Sequence, residues 1–221
     1  MSSAYCRRLR TFPTASSALG QQSRWRSRGP ASDRQRAPRY SRTGPALLAR
    51  GSLLGHPRLA TFVGPVVEER DWRRAAPLAR ATLRGRNDWT KHFFVSAALT
   101  VLSAQAPSDA IGLFKEELDA GGGSGFSFDD LMADRAGTTF GLLATGDDAA
   151  ARAIQERLAV GFRVDDFFPE AADLPEDIQD AELQSRYGGV GGSLFRSYAA
   201  EVERRLWNCP AYRALAKRPR P

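Results

Sequence analysis

From residue 87 onward the apolar positions repeat with helical spacing, and no stretch alternates as a strand would. The clearest segment opens at Asn87 or Asp88, either of which can cap a helix running to about Gln105. Phe93, Phe94, Val95, Ala97, Ala98, Leu99, Val101 and Leu102 cover most of its circumference, so burial is expected. Its polar residues, His92, Ser96, Thr100 and Ser103, fall on one narrow stripe. A polar stripe on a buried helix must meet other polar groups or water, because unpaired burial is costly.

A second helix is predicted from Pro107 and Ser108 to about Asp119. Ser108, Gly112, Lys115, Glu116 and Asp119 share one side of it; Ile111, Phe114 and Leu118 share the other. A glycine run, Gly121–Gly125, follows, with no strand before it and no Gly-Lys-Ser/Thr to make it a phosphate loop. Ser127 then opens a third helix, with Asp130 at capping-box spacing. On that helix Asp130, Asp134 and Thr138 lie in register one turn apart, and Gly137 and Gly141 leave room for another backbone. Short loops make consecutive helices antiparallel neighbours, so the three polar seams can converge.

The C-terminal third reads as Asp147–Val160, an amphipathic helix with Ala150, Ala151, Ile154 and Leu158 inward, then Val164–Pro169. Carboxylates at 165, 166, 170, 173, 176 and 177 lack the spacing of an EF-hand. A solvated acidic loop is expected there, with Phe167 and Phe168 pinned to the core. A short helix over Asp180–Tyr187, a glycine hinge at 188–192 and a helix over Ser193–Trp207, ended by Cys209-Pro210, complete the pattern. The fold class is all-α: a compact domain of antiparallel helices behind a disordered Arg-rich N-terminal tail. Its divisions are 1–45 (tail), 46–87 (short helices, one near Val66–Ala75), 88–145 (three-helix module) and 146–213 (helices packed on it as one domain).

Charge changes the picture of the tail. The 221-residue chain carries a net +7. Residues 1–67 hold twelve arginines, no lysine and one acid, Asp33, a net +11; residues 68–221 hold 20 basic and 24 acidic residues, a net −4. Basicity is thus a property of the tail, and nucleic-acid binding by the body is not expected, since it lacks a basic stripe. The tail fits a transit peptide, a start placed too far upstream, or a basic arm that touches RNA or anionic lipid. No apolar run approaches the length of a membrane span. Cys6 and Cys209 are too few for a disulfide framework or a cysteine-rich zinc site.

Lys91-His92-Phe93, Lys115-Glu116-Glu117-Leu118-Asp119, the loop Gly123-Ser124-Gly125-Phe126-Ser127-Phe128 leading into Asp129-Asp130-Leu131, and Asp134-Arg135-Ala136-Gly137 follow one another in a specific order. Over about residues 88–145 this order and spacing resembles the YfiM-type family of predicted bacterial lipoproteins. A looser similarity extends to VanZ-like membrane proteins. The loop before Gly123 is one residue shorter here, and an evident anchor is missing. The resemblance implies a helical module with a polar core and implies no reaction. It points to the bacterial envelope or periplasm, with peripheral envelope association; the transit-peptide reading of the tail points instead to the mitochondrial matrix.

His92, Glu116, Asp130 and Asp134 are the candidates for one constellation, with Lys115, Asp119, Ser124 and Ser127 as further members of the polar core. A histidine among carboxylates can form an acid/base pair with shifted pKa values. His92, Glu116 and Asp134 could also take a divalent metal, although no cofactor is expected and one histidine is few for catalytic zinc. A Ser/His/Asp triad through Ser124 or Ser127 has the residue types and lacks the nucleophile elbow. The plain readings are an Asp130 that only completes a capping box, a Lys115–Asp119 pair exposed on its helix, and a His92 bonded to Asp134 or a carbonyl. The leading expectation is a non-enzymatic module whose polar core is structural or binds a small ligand. The alternative is a hydrolase or metal-dependent enzyme using the His/Glu/Asp cluster.

Overall fold

The computed structural model of the chain describes residues 40–63, 80–103 and 125–216, with isolated positions at 73 and 77. All lie within one compact unit, Ala37–Pro221. The described residues form α1 (Tyr40–Arg50), a π-helical turn (Gly51–Gly55), α2 (Leu59–Val63), α3 (Asn87–Ser103), α4 (Phe128–Thr145), α5 (Asp148–Ala159), a 3₁₀ turn (Val164–Asp166), α6 (Asp180–Ser185), α7 (Ser193–Asn208) and α8 (Pro210–Ala216). No strand occurs among them; β pairing is limited to two isolated bridges. The domain is all-α. No described helix is long and apolar enough to cross a membrane.

The pair α3–α4 organises the domain. Trp89 meets Asp129, Phe93 meets Gly137 and Ala97 meets Gly141, so the two helices run parallel. An up-down-up order puts the first and third of three consecutive helices in this relation; the second, predicted over 107–119, lies outside the described residues. Gly137 and Gly141 make the close approach possible. A methyl group at Gly137 would collide with the Phe93 carbonyl, and one at Gly141 would sit 2.9 Å from the Ala97 oxygen. Gly51 of the π-helical turn gives α3 the same close neighbour on another side, against Ala98.

The apolar residues of α3 do their expected work: Trp89, Phe93, Val95, Ala97, Ala98 and Val101 are buried. Phe128 opens α4 fully buried, with the rings of Phe195, Tyr198 and Tyr187 5.2, 5.0 and 5.7 Å away. These rings fasten α7 and the loop after α6 to the start of α4. Phe126 exchanges two 2.8 Å backbone hydrogen bonds with Ile178. Phe167 and Phe168 are buried as expected, and Phe168 lies 5.5 Å from Trp89. Tyr212 of α8 donates its buried hydroxyl to the Ala136 carbonyl at 3.1 Å.

Several local readings need correction. Ser127 stands at the N-cap of α4, but no capping box forms; its Oγ accepts the Asp177 N–H at 2.9 Å instead. Leu158 is exposed, because α5 turns Ala151 and Ile154 to the core. Helix α1 begins at Tyr40, ahead of the expected boundary at 45/46, and runs through Pro45. Pro45, the sixth residue of α1, lies past the first turn, so the helix forgoes the backbone bond its N–H would have made. Cys209 ends α7, yet Pro210 at once starts α8, its missing N–H costing nothing at that position. The helix expected near 66–75 falls outside the described residues.

The acidic loop keeps Asp165, Glu170, Asp173 and Glu176 in solvent as expected, with Asp166 alone buried, and arginines clamp it. Arg84 pairs with Asp165 and Glu170 and donates to the Phe168 and Pro169 carbonyls at 3.0 and 3.1 Å. Arg86 bonds Asp88 at 2.6 Å and Glu176 at 2.9 Å while lying over the Trp89 ring. Arg157 holds the buried Asp166 at 2.6 Å, and Arg205 holds Asp173 at 2.7 Å. Arg84 adopts φ 49° ahead of Gly85 at φ 83°, in a tight turn closed by reciprocal Leu83–Arg86 bonds of 3.0 and 2.9 Å. A left-handed non-glycine residue costs about 1–2 kcal/mol, which the four partners of its guanidinium offset.

Candidate functional site

The parallel register of α3 and α4 decides what the polar stripe meets. Asp134 accepts at one oxygen from the Ser96 hydroxyl at 2.8 Å, and His92 Nδ1 lies 3.1 Å from the same oxygen. One turn back on α4, Asp130 Oδ1 lies 3.6 Å from His92 Nε2. Both ring nitrogens of one imidazole therefore face carboxylates. Further along the stripe, Thr100 donates to the Ser96 carbonyl at 2.8 Å and Ser103 to the Thr100 carbonyl at 2.9 Å. The far half of the stripe is satisfied on its own helix; the near half is not.

The imbalance centres on Asp130. Its Oδ1 is buried and has no hydrogen-bond partner among the described residues. The side chains around it stay half open, 40% exposed for His92, 30% for Asp130 and 43% for Asp134. Burial pushes the Asp130 carboxyl up to about 6; His92 opposes this, and the charges of Asp129, Asp88 and Asp134 add to it. Burial also lowers the basicity of His92, but the Asp134 hydrogen bond and the carboxylate charges outweigh it and raise the imidazole above its ordinary value. The carboxyl therefore exchanges its proton around pH 6, next to an imidazole that holds its own more tightly than a free one does.

Asp129, one residue away, has the opposite fate. It is buried and accepts the Trp89 indole N–H at 2.9 Å and the Asp130 amide at 2.9 Å, with Arg86 3.4 Å off. Desolvation raises its carboxyl against those hydrogen bonds. Nothing local in the sequence marks Asp129 as the one bonded across the seam: the Trp89 indole that reaches it is 40 residues away. Ser96 was visible as part of the stripe.

Of the predicted constellation, the structure brings together His92, Asp130 and Asp134. Lys115, Glu116, Asp119 and Ser124 lie outside the described residues. Ser127 is held by Asp177 and serves the loop junction. The Ser96 hydroxyl donates to Asp134, not to His92, so this serine is not set up as an imidazole-activated nucleophile. Among the described residues, no group of three or more His, Cys, Asp or Glu side chains is arranged to hold a metal ion. Cys209 is buried and free, its thiol pushed up to about 11 by desolvation.

No protein-family model, no curated protein and no solved structure matches the chain.

Proposed function

We propose that the chain is a non-enzymatic, envelope-associated helical module whose polar seam binds a small ligand bearing N–H or O–H donors, a cationic one best. The observation that carries this reading is the buried Oδ1 of Asp130, which accepts no hydrogen bond among the described residues and lies 3.6 Å from the half-exposed His92 imidazole. An unsatisfied buried acceptor costs about 1–3 kcal/mol, and a ligand donor would recover that. The two aspartates divide the work. Asp134 ties α3 to α4 through Ser96 and His92, and Asp130 faces the ligand. The YfiM-type resemblance supports the envelope as the compartment, with the mitochondrial matrix the counterpart if the basic tail is a transit peptide.

Titration with guanidinium and with ethanolamine, followed through the Asp130 and His92 side-chain NMR signals, tests the reading. Saturable shifts in the low millimolar range are expected, lost in Asp130→Asn and kept in Ser103→Ala. Linear drift without saturation in the wild-type chain would sink it. One observation favours a second reading: Asp130, with a pKa near 6, lies 3.6 Å from an imidazole of raised basicity, as a general acid and base would. Ester or phosphoester hydrolysis that disappears with His92→Gln would move the account to that hydrolase; metal-dependent turnover would require Glu116 as well.

A further inference from the structure

One turn before the seam, the same two helices already hold a guanidinium. The Trp89 indole donates to Asp129 Oδ2 at 2.9 Å. Arg86 Nη2 lies 3.4 Å from that same oxygen and bonds Asp88 at 2.6 Å, while its Cζ stands 5.0 Å from the centre of the Trp89 ring. A flat cation thus lies on a ring of α3 and spans carboxylates from α3 and α4. A guanidinium suits such a place because it stacks on the ring and donates through a planar fork; an ammonium is a compact point charge that does neither.

The seam repeats the ring and the carboxylates one turn on, without an arginine among the described residues. Its ring is His92, with Asp130 Oδ1 3.6 Å from Nε2 and Asp134 Oδ1 3.1 Å from Nδ1. The sequence explains the difference. Arg86 stands three residues before its ring, whereas the residue three before His92 is Trp89. On α4, Arg135 follows Asp134 but turns to Glu203 at 3.4 Å. The imidazole and both carboxylates stay partly exposed. Even beside a protonated imidazole, two ionised carboxylates leave one negative charge for a cation to balance. We propose that the cation this seam takes is a guanidinium, lying on the His92 ring and donating to Asp130 and Asp134. The inference rests on the proposed ligand site and names the head group of its small ligand.

Methylguanidinium and methylammonium carry the same charge and the same methyl group, so the pair tests the head group alone. Each is titrated into the full chain at pH 8, above the value near 6 at which Asp130 exchanges its proton, and the Asp130 carboxyl ¹³C signal is followed. Methylguanidinium should saturate the signal at about fivefold lower concentration, the gain of one further charge-assisted hydrogen bond. His92→Phe keeps a ring face and should keep that preference. His92→Ala removes the face and should lose most of it, at a melting temperature matched to that of His92→Phe. Equal saturation points for the two cations in the wild-type chain overturn the inference and leave the ligand site standing. Saturation by neither sinks the ligand site and this inference with it. A preference that survives His92→Ala also overturns the inference, because the ring would then play no part.

Discussion

Two carboxylate-rich regions of this domain use the same chemistry to opposite ends. In the loop from Asp165 to Glu176, Asp165, Asp166, Glu170, Asp173 and Glu176 each have an arginine partner reaching in from another element or a neighbouring helix. In the α3–α4 seam, Asp134 is hydrogen-bonded, while Asp130 leaves a buried oxygen with no hydrogen bond among the described residues, only His92 at 3.6 Å. The loop is a finished structure that needs nothing more. The seam is unfinished in a way a ligand or a transferred proton would complete. A count of acidic residues would favour the loop as the site; the pairing of their oxygens favours the seam.

The largest test breaks the seam itself. Gly137→Val puts a side chain into the Phe93 carbonyl, so α3 and α4 must separate; a loss of about 3 kcal/mol or more is expected in urea unfolding. An unchanged midpoint would show that the helices do not touch there. The loop comes next. Arg84→Ala leaves the Phe168 and Pro169 carbonyls without their donor and releases the exposed carboxylates of Asp165 and Glu170 to water, and should cost about 1–2 kcal/mol. A smaller loss, about 1 kcal/mol, is expected for Asp134→Leu, whose carboxylate is bonded but partly solvated.

The pH dependence separates the regions by sign. Hydrogen bonds from arginine hold Asp88, Asp166 and Asp173 below the ordinary carboxylate range. Their stabilisation is present above the unfolded value and is lost as pH falls through the lower folded value. Asp130 and His92 are raised, so their contribution is full below the unfolded values. That of Asp130 is lost as pH rises from about 3.8 through about 6, and that of His92 above about 6.5, as pH passes its raised folded value. Asp130→Asn should therefore flatten the decline in stability between about pH 4 and 6 and leave the acid limb of the loop intact. A decline of the same slope in that variant would take Asp130 out of the seam's titration.

Much of this was legible in the sequence. The extent of α3, its polar stripe and the small pair Gly137 and Gly141 of α4 follow from periods of three and four along each helix, and the His92–Asp134 partnership from setting the two polar stripes face to face. The arginine clamps were not legible. Arg84 meets Asp165 and Glu170 across more than eighty residues, and no local pattern encodes such a pairing. Ser127 failed as a capping residue for a related reason: the Asp177 amide, brought in by the Phe126–Ile178 bridge, competes for its hydroxyl. Leu158 obeyed the helical period but sits at the last turn of α5, where the chain leaves the core.

The central claim is that Asp130 is the unfinished member of the seam. It is tested most directly by a pH titration of side-chain carboxyl ¹³C signals in the full chain, with Asp130→Asn to assign the resonance. The account predicts a midpoint near 6 for Asp130, moving together with a His92 imidazole that titrates above its ordinary value. A midpoint near 3.8, as for a solvated aspartate, would contradict it.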